Sequence, residues 1–206
     1  KEQARKYAKT VDAQYVILSN GIVHYFWDVT KGNPKPIYKF PSPSEIGAIK
    51  GWNPDRNALT IEEVTIDYIA SIQMSDYAER PEWKGSIEAS KDFIWTNGLR
   101  FLRYYQLNAI VHLQKAVAEG KDRFLFEMAT GTGKTLTAAA VIRLFLRTQN
   151  ARRVLFLVDR LELEDQAWKA FNQYLKPDYS TFIYKVHKSD WYKADIVVTT
   201  IQSLMF

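Results

Sequence analysis

The chain has 206 residues, 47% of them hydrophobic, enough to bury a core in one large domain or two small ones. It has no run of about 18 apolar residues to span a bilayer, and its charged start, KEQARKYAKT, lacks the apolar centre of a signal peptide, so we expect a cytoplasmic protein with no membrane partner. With no cysteine and three scattered histidines it offers no disulfide framework and no cysteine-ligated metal, and any metal is expected to be Mg²⁺ carried with a nucleotide.

The net charge of +5 is uneven: residues 1–95 hold 12 Lys and Arg against 13 Asp and Glu, residues 96–206 hold 16 against 10. The second half is therefore the expected polyanion binder, although a solvated surface rich in lysine has the same composition. The first residue is Lys1 rather than methionine and the last lies in an apolar run, which reads as a piece of a longer protein.

Residues 2–9 read as a short helix. QYVILSNGIVHYFWDV then gives two β-rich runs joined at Asn20-Gly21, a dipeptide that accepts the positive φ values of a type I′ hairpin turn. Thr30 to Pro43 holds four of the seven prolines and reads as a linker or surface arm. Ile61 to Ile72, and the regions of Trp83 and Trp95, read as short helices and connectors. From Tyr105 the pattern changes. Leu107, Ile110, Val111, Val117 and Ala118 share a helix face that ends near Gly120, followed by a buried-strand candidate at Arg123–Met128 and a helix over Gly133–Thr148. A strand at Arg153–Val158, a helix at Glu162–Leu175 and strands at Phe182–Val186 and Ile196–Thr199 complete the alternation. Strands alternating with helices predict an α/β fold with a parallel sheet covered on both faces. The change of architecture falls near residue 96.

The strongest chemical signal is Ala129-Thr130-Gly131-Thr132-Gly133-Lys134-Thr135, between a hydrophobic run and a helix. Glycines let successive N–H groups face a phosphate without a Cβ in the way, and the helix N-terminus adds positive potential. In such a loop Lys134 meets the β- and γ-phosphates and the Thr135 hydroxyl ligates Mg²⁺, which makes them the candidate catalytic pair, with ATP and Mg²⁺ as cofactors. Thr130, Gly131, Thr132 and Gly133 are the candidate cradle. A glycine-rich turn that merely starts a helix is the alternative. The general pattern asks for glycine at 128, where this chain has Met128.

The form Ala-Thr-Gly-Thr-Gly-Lys-Thr resembles motif I of superfamily 2 helicases and translocases. Three further segments fit the same resemblance in order. Arg103-Tyr104-Tyr105-Gln106 looks like that superfamily's glutamine motif, which makes Arg103 and Gln106 candidate ATP contacts and implies that the Gln106 amide accepts from and donates to adenine; a polar helix start is the alternative. Val154 to Gln166 is similar to motif Ia, where Arg160 can contact a phosphate, although a surface arginine needs no such role. Val197 to Leu204 looks like the next motif on the same face, and it makes Thr199, Thr200 and Gln202 candidate DNA contacts; a buried strand ending in polar residues is the alternative. The acidic pair and second lobe that a motor needs do not occur in these residues, so we expect nucleotide binding without turnover from this stretch alone.

Gln3-Ala4-Arg5-Lys6-Tyr7, followed by the hairpin and by FPSPSEI at 40–46, extends the resemblance to the R (restriction, motor) subunit of type I restriction-modification enzymes. In that family a Gln-x-x-x-Tyr element closes a PD-(D/E)xK nuclease domain, matched here by Gln3 and Tyr7, which would orient DNA or the metal-binding elements; capping and packing of a helix is the alternative. The catalytic acids and lysine of that family lie upstream of the glutamine, so Lys1 is not assigned that role.

The resemblance implies three parts. Residues 1–29 would be the C-terminal part of the nuclease domain, 30–95 a linker or connector, and 96–206 the start of a RecA-like, parallel-sheet, P-loop motor domain. The implied activity is ATP-dependent translocation of double-stranded DNA coupled to endonuclease cleavage, with modification (methyltransferase) and specificity subunits as partners. A stand-alone superfamily 2 helicase acting on DNA or RNA explains only residues after 96. A non-hydrolysing, nucleotide-gated DNA-binding scaffold is a third reading.

Overall fold

A computed structural model describes residues 2–10, 13–29, 33–42, 45–46, 54–176 and 178–205. Parts of two sequence expectations, residues 30–32 with Pro43 in the proline-rich stretch and 43–44 in FPSPSEI, lie outside the described residues, as does Lys1. The chain divides into two compact units, Lys1–Asn53 and Pro54–Phe206.

The first unit holds helix α1 (Glu2–Thr10) and the antiparallel strands β1 (Tyr15–Ser19), β2 (His24–Asp28) and β3 (Lys35–Ile37), in the order β1-β2-β3. Its small core gathers on Trp27, buried under the Arg5 guanidinium 5.0 Å from the ring centroid, while Ala8 is buried on the same helix. Two details differ from the sequence reading. Ser19 faces His24 across the hairpin, leaving four residues in the turn, and only Gly21 has a positive φ, at 90°, so the turn is not type I′. The Asn20 side-chain oxygen accepts instead from the N–H groups of Ile22 and Val23, an Asx-type closure that leaves Asn20 outside the left-handed region. The proline-rich stretch also contains a strand, β3, tolerated around Pro36 because it forms the edge of the sheet.

The second unit begins with short helices α2 (Arg56–Ile61), α3 (Ala70–Gln73), α4 (Pro81–Lys84) and α5 (Ile87–Asn97). These residues do not stand apart as a linker. Gln114 donates to the carbonyls of Leu59 and Glu62 at 2.9 and 2.8 Å, Leu102 N–H donates to Ile66 at 2.7 Å, and Arg147 pairs with Glu62 at 2.7 Å. Residues 54–95 thus pack with the α/β part, and the break in contacts lies at 53/54 rather than near 96.

The α/β part holds helices α6 (Tyr104–Ala118), α7 (Lys134–Arg147) and α8 (Leu161–Leu175) and strands β4 (Val154–Val158), β5 (Thr181–Ile183) and β6 (Ile196–Thr200), with short helix α9 (Ile201–Met205) after β6. The sheet is parallel, ordered β4-β6-β5. This is the α/β architecture expected of the start of a RecA-like motor domain. All five residues of β6 are buried, as its apolar run and central place require, whereas Leu155 and Leu157 on edge strand β4 are about half exposed. Phe171 of α8 meets Phe156 of β4 edge to face at 4.8 Å, and Ile110, Ala140, Leu144 and Ile196 join the same core. Burying a side chain of this kind stabilises the fold by about 1.5–3 kcal/mol.

The strand expected at Arg123–Met128 is absent as a strand. The segment has no sheet partner among the described residues; Phe124, Phe126 and Met128 turn inward while Leu125 is 95% exposed. Its alternation is that of a strand, but a strand needs a ladder. Cavities of about 470 Å³ and 310 Å³ flank it, the second reaching Phe156 of β4.

Candidate functional site

The phosphate-loop candidate sits between the extended segment and α7. Gly131 and Gly133 take φ values of 78° and 82°, and the helix begins at once with Lys134. At Gly133 two constraints meet. The backbone is left-handed, and a Cβ would lie 2.7 Å from Gln106 Nε2, so only glycine lets Gln106 close on the loop. The first-turn N–H groups of α7 have no intrahelical acceptor, which leaves those of Lys134 and Thr135 for an anion. The Lys134 ammonium is exposed and donates to the Met128 carbonyl at 2.8 Å, a bond it can exchange for a phosphate oxygen. Thr130 and Gly131 are exposed, and the Thr132 hydroxyl closes the loop on the Ala129 carbonyl at 2.6 Å. The donor set fits a nucleotide phosphate chain: glycines at the turn, a helix start, an exposed ammonium, and the Thr135 hydroxyl next to it for Mg²⁺.

Helix α6 clasps this loop from the side. Gln106 is 1% exposed; its Oε1 accepts from Arg103 N–H at 2.8 Å, and its Nε2 donates to the carbonyls of Thr132 and Gly133 at 3.3 and 3.1 Å. The first bond is one half of a capping box, and it stays half because an arginine at the N-cap has no acceptor to return. With both amide hydrogens given to the loop, Gln106 has none left for adenine, so its place in this structure is on the backbone of the loop. Arg103 is exposed and its guanidinium donates to the Tyr105 hydroxyl at 3.1 Å, which donates to the Thr132 carbonyl at 2.7 Å. Tyr105 is a participant that the sequence reading passed over. Its signal was its place beside Gln106, one residue before it at the helix start.

A second cleft, of about 440 Å³, opens at the carboxyl ends of the strands and is lined by Asp159, Leu161, Lys185, Lys188, Thr200 and Gln202, with Ser203. This end of a parallel sheet is where α/β folds place ligands. Arg160 and Gln202 are exposed there, and Arg160 Nε lies 3.7 Å from Asp159. Thr199 is not available: it is fully buried and its hydroxyl donates to the Thr200 carbonyl. Thr200 is 1% exposed, and its hydroxyl accepts from Ser203 N–H at 3.2 Å, fixing the start of α9 rather than reaching out. The sequence reading missed Lys185 and Lys188, whose signal was two lysines three apart directly after a strand.

Gln3 and Tyr7 belong to the first unit. They sit one turn apart on an exposed face of α1, with the amide 3.5 Å from the phenol oxygen and Tyr7 65% exposed. Among the described residues no cluster of His, Asp and Glu could hold a metal by itself, and no helix is long and apolar enough to cross a membrane.

Comparison with known proteins adds a family. Residues 100–205 match the family described as "Type III restriction enzyme, res subunit". The chain is 31% identical over 176 residues to the type I restriction enzyme EcoAI endonuclease subunit of Escherichia coli, covering 80% of this chain and 18% of that subunit. It is 49% identical over 70 residues to the EcoKI endonuclease subunit of Escherichia coli strain K12, covering 34% of this chain and 6% of the relative. The chain therefore spans less than a fifth of the length of these relatives. A solved fragment described as an HsdR subunit of a type I restriction enzyme from Vibrio vulnificus YJ016 covers 99% of this chain and 32% of its own, at 23% identity and a TM-score of 0.37, too low to equate the two folds.

Proposed function

We propose that this chain, which belongs to the family described as type III restriction enzyme, res subunit, and resembles the endonuclease subunits of type I restriction enzymes, is part of an ATP-dependent translocase of double-stranded DNA. In this reading it works in the cytoplasm, with modification and specificity subunits, to cut unmethylated DNA away from the recognition site. The observation that carries the reading is the loop Ala129–Thr135, with left-handed Gly131 and Gly133 and the Lys134 ammonium at the head of α7.

Lys134 would exchange the Met128 carbonyl for the β- and γ-phosphate oxygens of ATP, and Thr135 would hold the Mg²⁺ bound with it. Bound Mg²⁺ supplies neutralisation of charge on the phosphate oxygens. Gln106 and Tyr105 hold the carbonyls of Thr132 and Gly133, which ties the loop backbone to the start of α6. Arg160 and Gln202, at the carboxyl ends of the strands, would meet the DNA backbone, which positions without reading sequence. Gln3 and Tyr7 would orient DNA at the edge of a nuclease domain.

The test is ATP hydrolysis by the intact protein with its modification and specificity subunits, on unmethylated and methylated copies of one duplex. Stimulation by the unmethylated duplex alone is expected. Equal stimulation by any DNA or by RNA, without partner subunits, would return the loop to a general helicase. Lys134→Ala is expected to abolish translocation and cleavage while assembly with the partners survives; retained ATP-driven cleavage would refute the mechanism.

A further inference from the structure

We infer that Lys188 contacts the phosphate backbone of duplex DNA, and that the buried carboxylate of Glu164 withholds the neighbouring Lys185 from that role. The inference rests on the DNA reading above and concerns which cation in the cleft is free to act.

The two lysines leave β5 on the same loop, yet their surroundings differ. Glu164, in the first turn of α8, is fully buried, and Lys185 Nζ stands 2.6 Å from its Oε2. Neither carboxylate oxygen has a well-aligned hydrogen bond among the described residues, so the Lys185 ammonium is the compensation this buried charge has. Parting the two would strand a carboxylate out of reach of water, which costs more than an exposed phosphate contact returns. Lys185 therefore reaches the cleft with its charge already spent.

Lys188 lies on the same cleft wall, is exposed, and has no ion pair among the described residues. Nearby, Asp190 is matched by Lys193 at 3.0 Å, whereas the exposed Asp159–Arg160 pair, 3.7 Å apart, is loose enough to leave Arg160 its own phosphate contact. The loop that carries Lys188 is also held in place. Val186 and His187 donate to the Ile183 carbonyl, Trp191 N–H donates to the His187 carbonyl at 2.8 Å, and the His187 ring stacks on Phe182 at 4.2 Å. An exposed, uncompensated cation on a hydrogen-bonded loop, sharing a cleft with the exposed Gln202 at the carboxyl ends of parallel strands, suits a backbone phosphate. It offers nothing that would distinguish one base from another.

The test measures binding of the intact protein, assembled with its partner subunits, to two labelled duplexes of unrelated sequence across a salt series. Log affinity falls with log salt, and each phosphate contact adds about 0.9 to the steepness of that fall, the slope compared between variants. Lys188→Ala is expected to lower the slope by that amount and to weaken both duplexes equally. Glu164→Gln, which releases Lys185, is expected to raise the slope by the same amount and tighten binding, a sign that simple structural damage does not produce. The double variant E164Q/K185M covers the case in which E164Q alone folds poorly, and it should keep the wild-type slope. An unchanged slope in Lys188→Ala, or a lowered slope in the double variant, overturns the inference while leaving the translocase reading intact. Wild-type protein with no salt-dependent binding to duplex DNA would overturn both.

Discussion

Helix α6 carries two buried glutamines eight residues apart, and each spends its amide hydrogens on backbone carbonyls of another segment. Gln106 reaches Thr132 and Gly133 in the phosphate loop; Gln114 reaches Leu59 and Glu62 at the end of α2. The chemistry is the same and the targets differ. Gln114 grips a segment further tied by the Arg147–Glu62 pair and by Asn150 donating to the Asp55 carbonyl. Gln106 grips a loop with glycines at its bends and an exposed ammonium bonded to a carbonyl it can release. One helix therefore joins a fixed dock at its middle to an adjustable loop at its start, so changes at the two glutamines should fall on different observables.

The largest effect is expected where the adjustable end is made rigid in the wrong shape. Gly133→Ala puts a Cβ into a left-handed position 2.7 Å from Gln106 Nε2, so the loop must strain or the clasp must open. Isothermal titration of the intact protein with ATP should show affinity reduced by about tenfold or more, since ~1.4 kcal/mol of strain already accounts for that factor. Unchanged affinity would mean that the loop in its bound form abandons this geometry.

Next in size is the fixed dock. Gln114→Met keeps the volume but leaves the Leu59 and Glu62 carbonyls without their donor, an expected loss of about 2–3 kcal/mol in unfolding free energy. Denaturant unfolding measures it, and ATP affinity should remain within about twofold. If affinity fell together with stability, the two ends of α6 would be coupled and the comparison would fail. The clasp itself should show the converse. Tyr105→Phe removes only the hydroxyl that donates to Thr132, so stability should fall by about 0.5–1.5 kcal/mol at most, with the ATP dissociation constant raised several-fold. Equal weakening of ATP and of adenosine would instead place Tyr105 at the base.

The two regions also differ in how plainly the sequence announced them. The candidate phosphate loop was legible because its signature is a contiguous run of residue types, and helix α7 follows directly from it. The alternation after Tyr105 gave the parallel sheet for the same reason: apolar runs such as Ile196-Val197-Val198 have nowhere to go but a central strand. Residues 54–95 were opaque because their docking depends on long-range partners such as Gln114 and Arg147, which no local period encodes. Arg123–Met128 failed in the opposite sense, since its alternation is genuine and only the pairing partner is missing among the described residues. Thr199 looked available because a strand's carboxyl end is polar, but the central place of β6 buries it. Lys185 and Lys188 look alike as letters, and only the depth of Glu164 separates them.

The smallest expected effect sharpens the contrast from the side of the dock. Asp67 accepts from the hydroxyl of Thr65, which above all holds its carboxyl below the usual range; burial opposes this, and the Tyr77 hydroxyl, donating at 2.9 Å, adds to it. A carboxylate whose pKa is lower folded than unfolded contributes stability above its unfolded value of about 3.9, and that contribution is lost as the pH falls through the folded value. Wild-type protein should therefore lose stability below about pH 4 more steeply than Asp67→Asn, the two curves converging at the acid end. Tyr77 gives the alkaline counterpart. Burial first, and then the Asp67 hydrogen bond and charge, push its phenol up to about 12, so its contribution is complete below the ordinary value of 10.0 and is lost as the pH rises toward 12. Tyr68 is pushed up in the same region, also mainly by burial, so Tyr77→Phe should flatten only part of the alkaline limb. Chemical denaturation at a series of pH values reads both limbs. Parallel acid limbs in wild type and Asp67→Asn would show that residues 54–95 are held by their packing and by Gln114, with Asp67 a bystander.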